Sequence, residues 1–163
     1  MTTLCYLEQN DCFLMMHRTK KRQDDSHDKW IGVGGKFEPD ESPEDCMLRE
    51  VFEETGLRVT QWRYHGIVTF VSDIAQSDYM HLFSAQAWEG QMHECDEGDL
   101  NWVPKWQLHQ LNLWEGDKIF LKLMMSDIPF FSLKLTYKGD CLMETVLNGK
   151  VLQTSEIQMI RLP

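Results

Sequence analysis

Gly35-Lys36-Phe37-Glu38-Pro39-Asp40-Glu41-Ser42-Pro43-Glu44-Asp45-Cys46-Met47-Leu48-Arg49-Glu50-Val51-Phe52-Glu53-Glu54-Thr55-Gly56-Leu57 is the stretch that decides the fold of this 163-residue chain. Its centre reads as a helix with marked ends. Ser42 can accept from the exposed N–H groups of a first turn, Pro43 suits the first helical position, and Asp45 completes a capping box. Gly56 supplies the left-handed residue that closes a helix. Between them Met47, Leu48, Val51 and Phe52 recur at helical spacing and form the stripe that must be buried.

The opposite face is electrostatically awkward. Glu50, Glu53 and Glu54 are related by three and four residues, so their carboxylates are neighbours, each pair costing a few tenths of a kcal/mol. They also crowd the C-terminal end, where the helix dipole disfavours anions. Arg49 supplies one compensating charge. A hard divalent cation with oxygen ligands would supply the rest, and magnesium fits best because it takes a few carboxylates together with waters and substrate phosphates. Such an ion would also bind phosphate oxygens and lower the pKa of a bound water.

Upstream, Gly32, Gly34 and Gly35 place three glycines in four positions, the density expected where backbone approaches something closely. From Gly35 the pattern is Gly-x5-Glu41-x7-Arg49-Glu50-Val51-x-Glu53-Glu54-x-Gly56-Leu57. Seven fixed residues at about one in fifteen each put a chance match on the order of 10⁻⁸ per starting position. This segment resembles the Nudix box at every fixed position. The resemblance implies an α/β (α+β) fold, a Nudix-type α/β/α sandwich with a central mixed β-sheet and the loop-helix-loop, built as one domain over residues 1–163.

The resemblance also implies roles. Glu50 and Glu54 would be metal ligands, and Glu53 a further ligand or the group that orients water. Arg49, with Glu41, would hold these carboxylates in place through charge-assisted bonds. The Gly34 carbonyl would add an oxygen, with Mg2+ as cofactor or Mn2+ in its place. Family members often draw another acid from a later loop. Glu97 is the best match here, with Asp96 and Asp99 as competitors.

Beyond the box, the chain is similar to MutT-like 8-oxo-dGTP diphosphatases. The run Lys29-Trp30-Ile31-Gly32-Val33-Gly34-Gly35-Lys36 resembles their entry into the box, and Leu113-Trp114-Glu115-Gly116-Asp117 their base-binding segment. In mammalian-type members a Trp stacks on the purine and two adjacent acids bond its edge. Trp114 and Asp117 match the Trp and the second acid. Gly116 stands where the first acid would be, and Ile31 where an Asn binds the base, so the preferred base stays open. Gly35, Lys36, Trp114, Asp117, Arg18 and Ile31 are the substrate-binding candidates. Trp114 reads equally as a core aromatic and Asp117 as a helix cap. Arg18, Lys20, Lys21 and Arg22 form a basic cluster that could meet triphosphate oxygens, or simply a solvated loop.

The implied activity is a nucleoside triphosphate pyrophosphohydrolase that sanitises oxidised purine nucleotides such as 8-oxo-dGTP, releasing monophosphate and pyrophosphate. The alternatives are another nucleoside diphosphate derivative (ADP-ribose, a nucleotide sugar, a dinucleoside polyphosphate or a capped RNA end) and a nucleotide-sensing module without hydrolysis.

Composition sets the outer bounds. The net charge of −10, from 26 acids against 16 bases, disfavours a nucleic-acid polymer, whose binding rests on phosphate neutralisation. A small nucleotide reached through a metal is compatible with it. Cys5, Cys12, Cys46, Cys95 and Cys141 contain no CxxC pair, and none of the six histidines has metal spacing. No apolar run approaches the roughly 18 residues of a membrane span, and Glu8 and Asp11 interrupt any leader-like pattern. The expectation is a soluble, cytoplasmic protein without a membrane partner; no oligomeric state is assigned.

Along the rest of the chain, residues 3–7 and 12–17 read as strands joined by a turn, and 17–28 as a surface loop. Strands are expected at 66–72, 80–88 and 100–103, with an acidic loop over 90–100. Residues 106–111 and 117–125 look helical. Residues 130–137 and 141–147 flank a hairpin turn, and 151–161 alternates weakly as an edge strand.

Overall fold

The computed structural model describes residues 1–19, 28–126 and 128–162. Lys20, Lys21 and Arg22 of the basic cluster lie outside them. Among the described residues, strands β1 (Thr2–Gln9), β2 (Cys12–His17), β3 (Trp30–Ile31), β4 (Arg58–Ser72), β5 (Asp78–Glu89), β6 (Asp99–Pro104), β7 (Phe131–Lys138), β8 (Cys141–Leu147) and β9 (Lys150–Val151) form one mixed sheet in the order β3-β2-β1-β5-β4-β7-β8-β9. Strand β6 pairs the other edge of β2. The β1–β5 and β4–β7 pairs are parallel and the others antiparallel.

The sheet carries apolar residues on both faces. On β1, Cys5 and Leu7 join Leu14, Val33, Phe83 and Ala85 beneath α1 (Pro43–Thr55), which contributes Met47 and Val51. Leu4 and Tyr6 point the other way, with Phe13, Met80 and Leu82, onto α2 (Glu115–Met124) through Ile119, Phe120 and Leu123. Burial on both faces explains why β1 reads as an apolar run rather than a clean alternation. The result is the α/β/α sandwich implied by residues 35–57.

Turn chemistry sets the local joins. Asn10 and Asp11 both adopt positive φ, 50° and 59°, as a tight hairpin between twisted strands requires. Ser42 accepts from the Asp45 N–H while Asp45 accepts from the Ser42 N–H at 3.0 Å, and Gly56 closes α1 at φ 77°. The expected hairpin of residues 130–147 is β7–β8.

Two expectations change. Strand β4 begins at Arg58 rather than 66, because register shifts near Val59, Gln61 and Tyr64 break the two-residue period that reveals a strand. Residues 151–161 are not an edge strand. After the two residues of β9, Gln153 and Glu156 form a capping box that starts α3 (Thr154–Ile160), and Ile157 and Ile160 pack against the α2-side core. The Leu162 N–H donates to the Lys118 carbonyl at 3.0 Å, which ties this end of the chain to α2. The helix expected over residues 106–111 is a 3₁₀ helix, Lys105–Gln110.

Candidate functional site

The glycine-rich segment runs beside β1 and sets the site's backbone. The Thr3 N–H donates to the Gly35 carbonyl at 2.9 Å, and the Cys5 N–H to the Val33 carbonyl at 2.7 Å. Gly34, between them, faces away from this pairing. Its N–H donates to Glu54 Oε2 at 3.0 Å, and its carbonyl has no hydrogen-bond partner among the described residues. The glycines are required by space. A Cβ at Gly34 would lie 2.2 Å from the Thr3 carbonyl oxygen, and one at Gly35 would lie 2.5 Å from the Glu50 carboxyl. Two carboxylates of α1 therefore rest directly on bare backbone.

Arg49 organises the acids around it. Its Nε donates to Glu41 Oε1 at 2.6 Å and one terminal nitrogen to Glu41 Oε2 at 3.0 Å, a two-pronged contact across eight residues. The other terminal nitrogen reaches Glu50 at 2.8 Å and Glu53 at 3.2 Å, and the Lys36 carbonyl accepts a further bond at 3.0 Å. The Arg49 hydrogen bonds, helped by the Glu38 N–H, hold the Glu41 carboxyl down to about 2. Glu53 is half-exposed, and the Lys36 residue is exposed, its contact to Arg49 being through backbone.

Glu54 differs from its neighbours. It is 8% exposed, and burial pushes its pKa up to about 8. The Gly34 N–H opposes that shift, the nearby Glu97 and Glu50 charges add to it, and Arg18 works against them. Arg18 donates to Glu97 Oε2 at 3.0 Å. The chain thus brings Glu97, half-buried, to the Glu54 side, whereas Asp96 is exposed and Asp99, at the start of β6, accepts from Thr19 Oγ1. Among the described residues no three His, Cys, Asp or Glu side chains already converge as a metal-binding group. The nearest approach to one is Glu50 and Glu54 on adjacent glycines, with Arg49 holding an oxygen of Glu50. A buried carboxylate whose one hydrogen bond among the described residues is to backbone, next to further acids and a carbonyl with no partner among those residues, is a donor set that a hard cation fits.

A second cluster stands at the N-terminal end of α2. Trp114 is half-buried and Asp117 is 4% exposed. Asp117 is not the helix cap; Trp114 holds that position and Asp117 lies in the first turn. Burial raises the Asp117 carboxyl to about 8 against the pull of Lys29 and the Trp114 backbone. Lys29 Nζ sits 4.4 Å from the Trp114 ring centroid and donates to Asn112 at 2.9 Å. Ile31, on β3, pairs with Met16. Sequence reasoning missed Tyr137, whose ring meets Trp114 edge-on at 6.2 Å and whose hydroxyl accepts from the Gly116 N–H at 2.8 Å. The signal was present in β7: Phe131, Leu133 and Leu135 alternate inward, and Tyr137 continues that face.

A model of the NUDIX domain matches residues 1–124. An uncharacterised Nudix hydrolase of Bacillus subtilis, YvcI, is 30% identical over 128 residues, covering 76% of this chain and 77% of its own. The oxidized purine nucleoside triphosphate hydrolase of Danio rerio is 32% identical over 104 residues, covering 63% and 66%. Among solved structures, the MutT protein of Bacillus halodurans superposes with a TM-score of 0.79 at 28% identity, covering 90% of this chain and 96% of that one.

Proposed function

The chain belongs to the Nudix hydrolase family, which cleaves phosphoanhydrides, and we propose that it is a Mg2+-dependent nucleoside triphosphate pyrophosphohydrolase with oxidised purine nucleotides, 8-oxo-dGTP first among them, as its substrate class. The observation that carries this reading is the buried Glu54 carboxylate held on the Gly34 N–H beside Glu50.

Glu50 and Glu54 would hold the ion, with the Gly34 carbonyl, Glu53 and Glu97 as the further oxygens. When bound, a divalent cation neutralises phosphate charge and makes water a better nucleophile. The chain's own residues do the rest. Arg49 fixes Glu50 and, through its two-pronged contact, Glu41, so that neither carboxylate must reorganise as substrate arrives. Glu53, exposed and only singly held by Arg49, has the freedom to orient a water. Arg18, which reaches Glu97, and the exposed Lys36 would steer an anionic phosphate chain. Trp114 and Asp117, at the head of α2, would take the base. The Danio rerio relative's name supports the oxidised purine class.

The test is a panel of nucleotides incubated with Mg2+: 8-oxo-dGTP, the common triphosphates, ADP-ribose, a nucleotide sugar and a dinucleoside polyphosphate. Fastest release of monophosphate and pyrophosphate from an oxidised purine triphosphate is expected. Faster cleavage of ADP-ribose or a nucleotide sugar would replace the substrate, and tight binding with no product would replace the enzyme by a sensor.

A further inference from the structure

The opening turn of α2 is poorly supported by its own sequence. Trp114 occupies the N-cap position and its side chain makes no capping bond, so this helix lacks the cap oxygen that Ser42 supplies to α1. Gly116, the second residue of the helix, is among the poorest helix formers. With ten residues, α2 is short for a helix that must stand without tertiary help. Yet this turn carries Trp114 and Asp117. Its hold has to come from elsewhere in the chain.

Two outside holds are present. The first is Tyr137, whose hydroxyl accepts from the Gly116 N–H at 2.8 Å. The second is the segment after α3. Leu162 is 5% exposed and belongs to the same apolar core as Ile119, Phe120 and Leu123 of α2. Its N–H donates to the Lys118 carbonyl at 3.0 Å. Arg161 donates to Glu115 Oε2 at 3.2 Å, and Lys118 Nζ to Glu115 Oε1 at 2.6 Å. Both oxygens of the residue next to Trp114 are thereby held, one from within the helix and one from 46 residues further along the chain. Ile157 and Ile160 of α3 pack against the same core and deliver the segment to it.

Resting on the reading of Trp114 and Asp117 as the base site, we propose that Arg161 and Leu162 are positioning residues for nucleotide binding. Together they hold the opening turn of α2 in the arrangement that receives the base. Burial of Leu162 supplies most of the hold, because apolar burial outweighs an ion pair between exposed groups. The Arg161–Glu115 pair steadies the residue that follows Trp114. The partners of both residues lie on α2, so their effect falls on the base and not on the carboxylates of α1.

Calorimetric titration without metal tests this, since base recognition needs no turnover. The probe is whichever of 8-oxo-dGMP, dGMP and dAMP binds the wild-type protein most tightly, and thermal melts are run alongside. Leu162→Ala should weaken binding about tenfold, as if one molecule in ten kept the turn in place. Arg161→Ala should weaken it about threefold, and Arg161→Lys should bind nearly as well as wild type. Variants that melt lower but bind like wild type would overturn the proposal and leave the segment as a structural prop. Equal weakening by Arg161→Ala and Arg161→Lys would also overturn it, and if Leu162→Ala fails to fold, the Arg161 pair decides. Trp114→Ala separates the two readings. Weakening there but not in the Arg161 and Leu162 variants sinks this proposal alone. Unchanged binding there, or no binding of any probe by wild type, removes the base site and the proposal together.

Discussion

The Gly34 N–H donates to Glu54 Oε2 at 3.0 Å across 20 residues of chain, joining the glycine segment to the last turn of α1. That bond fixes a buried carboxylate to which no cationic side chain is hydrogen-bonded among the described residues. A divalent ion should therefore stabilise the fold itself. At a hundredfold excess over its dissociation constant, Mg2+ should raise the melting temperature by about 5 °C or more. Glu54→Gln should abolish most of that shift while melting at or above the metal-free wild type, since the ionised form is the one burial penalises. Thermal melts with and without Mg2+ check both outcomes; an equal shift in the variant would place the ion elsewhere.

Gly35→Ala separates activity from stability. The added methyl would lie 2.5 Å from the Glu50 carboxyl, whose side chain can turn away. Turnover should fall by about a hundredfold, as expected for a misplaced site group, with a melting temperature within a few degrees of wild type. A variant that unfolds, or one that keeps full activity, would contradict the close packing of Glu50 on the glycine.

Arg49→Lys keeps the charge and loses the fork. The two-pronged contact to Glu41 cannot be reproduced by an ammonium. Turnover should drop by about ten- to a hundredfold. The pH dependence should change in parallel. Glu41 titrates lower in the folded than in the unfolded chain, so its contribution is present above about 4.5 and lost as pH falls towards about 2. Acid unfolding followed by circular dichroism should show a shallower loss over that window in the variant.

Asp117 carries the opposite sign. Its folded pKa, about 8, lies above the ordinary 3.8, so between those values the folded chain holds a proton the unfolded chain has released. Stability should fall as pH rises from about 4 to 8 and level off above. Glu54 contributes with the same sign. Asp117→Asn should flatten part of the slope in denaturant midpoints measured between pH 5 and 9, and the variant should be the more stable protein at pH 9. A slope unchanged by the substitution would show that Asp117 is ionised throughout.

The box helix was readable because its ends and its spacing are local: Ser42, Pro43, Asp45 and Gly56 act within one or two turns, and the three glutamates announce a common face. Glu41, Arg49 and Glu50 were readable together for the same reason. Tyr137 was not, because its partner Gly116 lies 21 residues away and only the sheet brings them together. The first half of β4 hid behind its register shifts, and α3 behind a two-residue strand that begins as the expected edge strand would. The Asn148-Gly149 turn, with both residues at positive φ, was the available sign that β9 starts with a hairpin.

The most direct test is ³¹P NMR of a nucleoside triphosphate mixture containing 8-oxo-dGTP, incubated with Mg2+ and either wild-type protein or Glu54→Gln, both verified as folded. Pyrophosphate and monophosphate should accumulate with the wild type and fall at least about a hundredfold in rate with the variant. No product from the wild type, or equal rates from the two proteins, would contradict a hydrolase centred on Glu54.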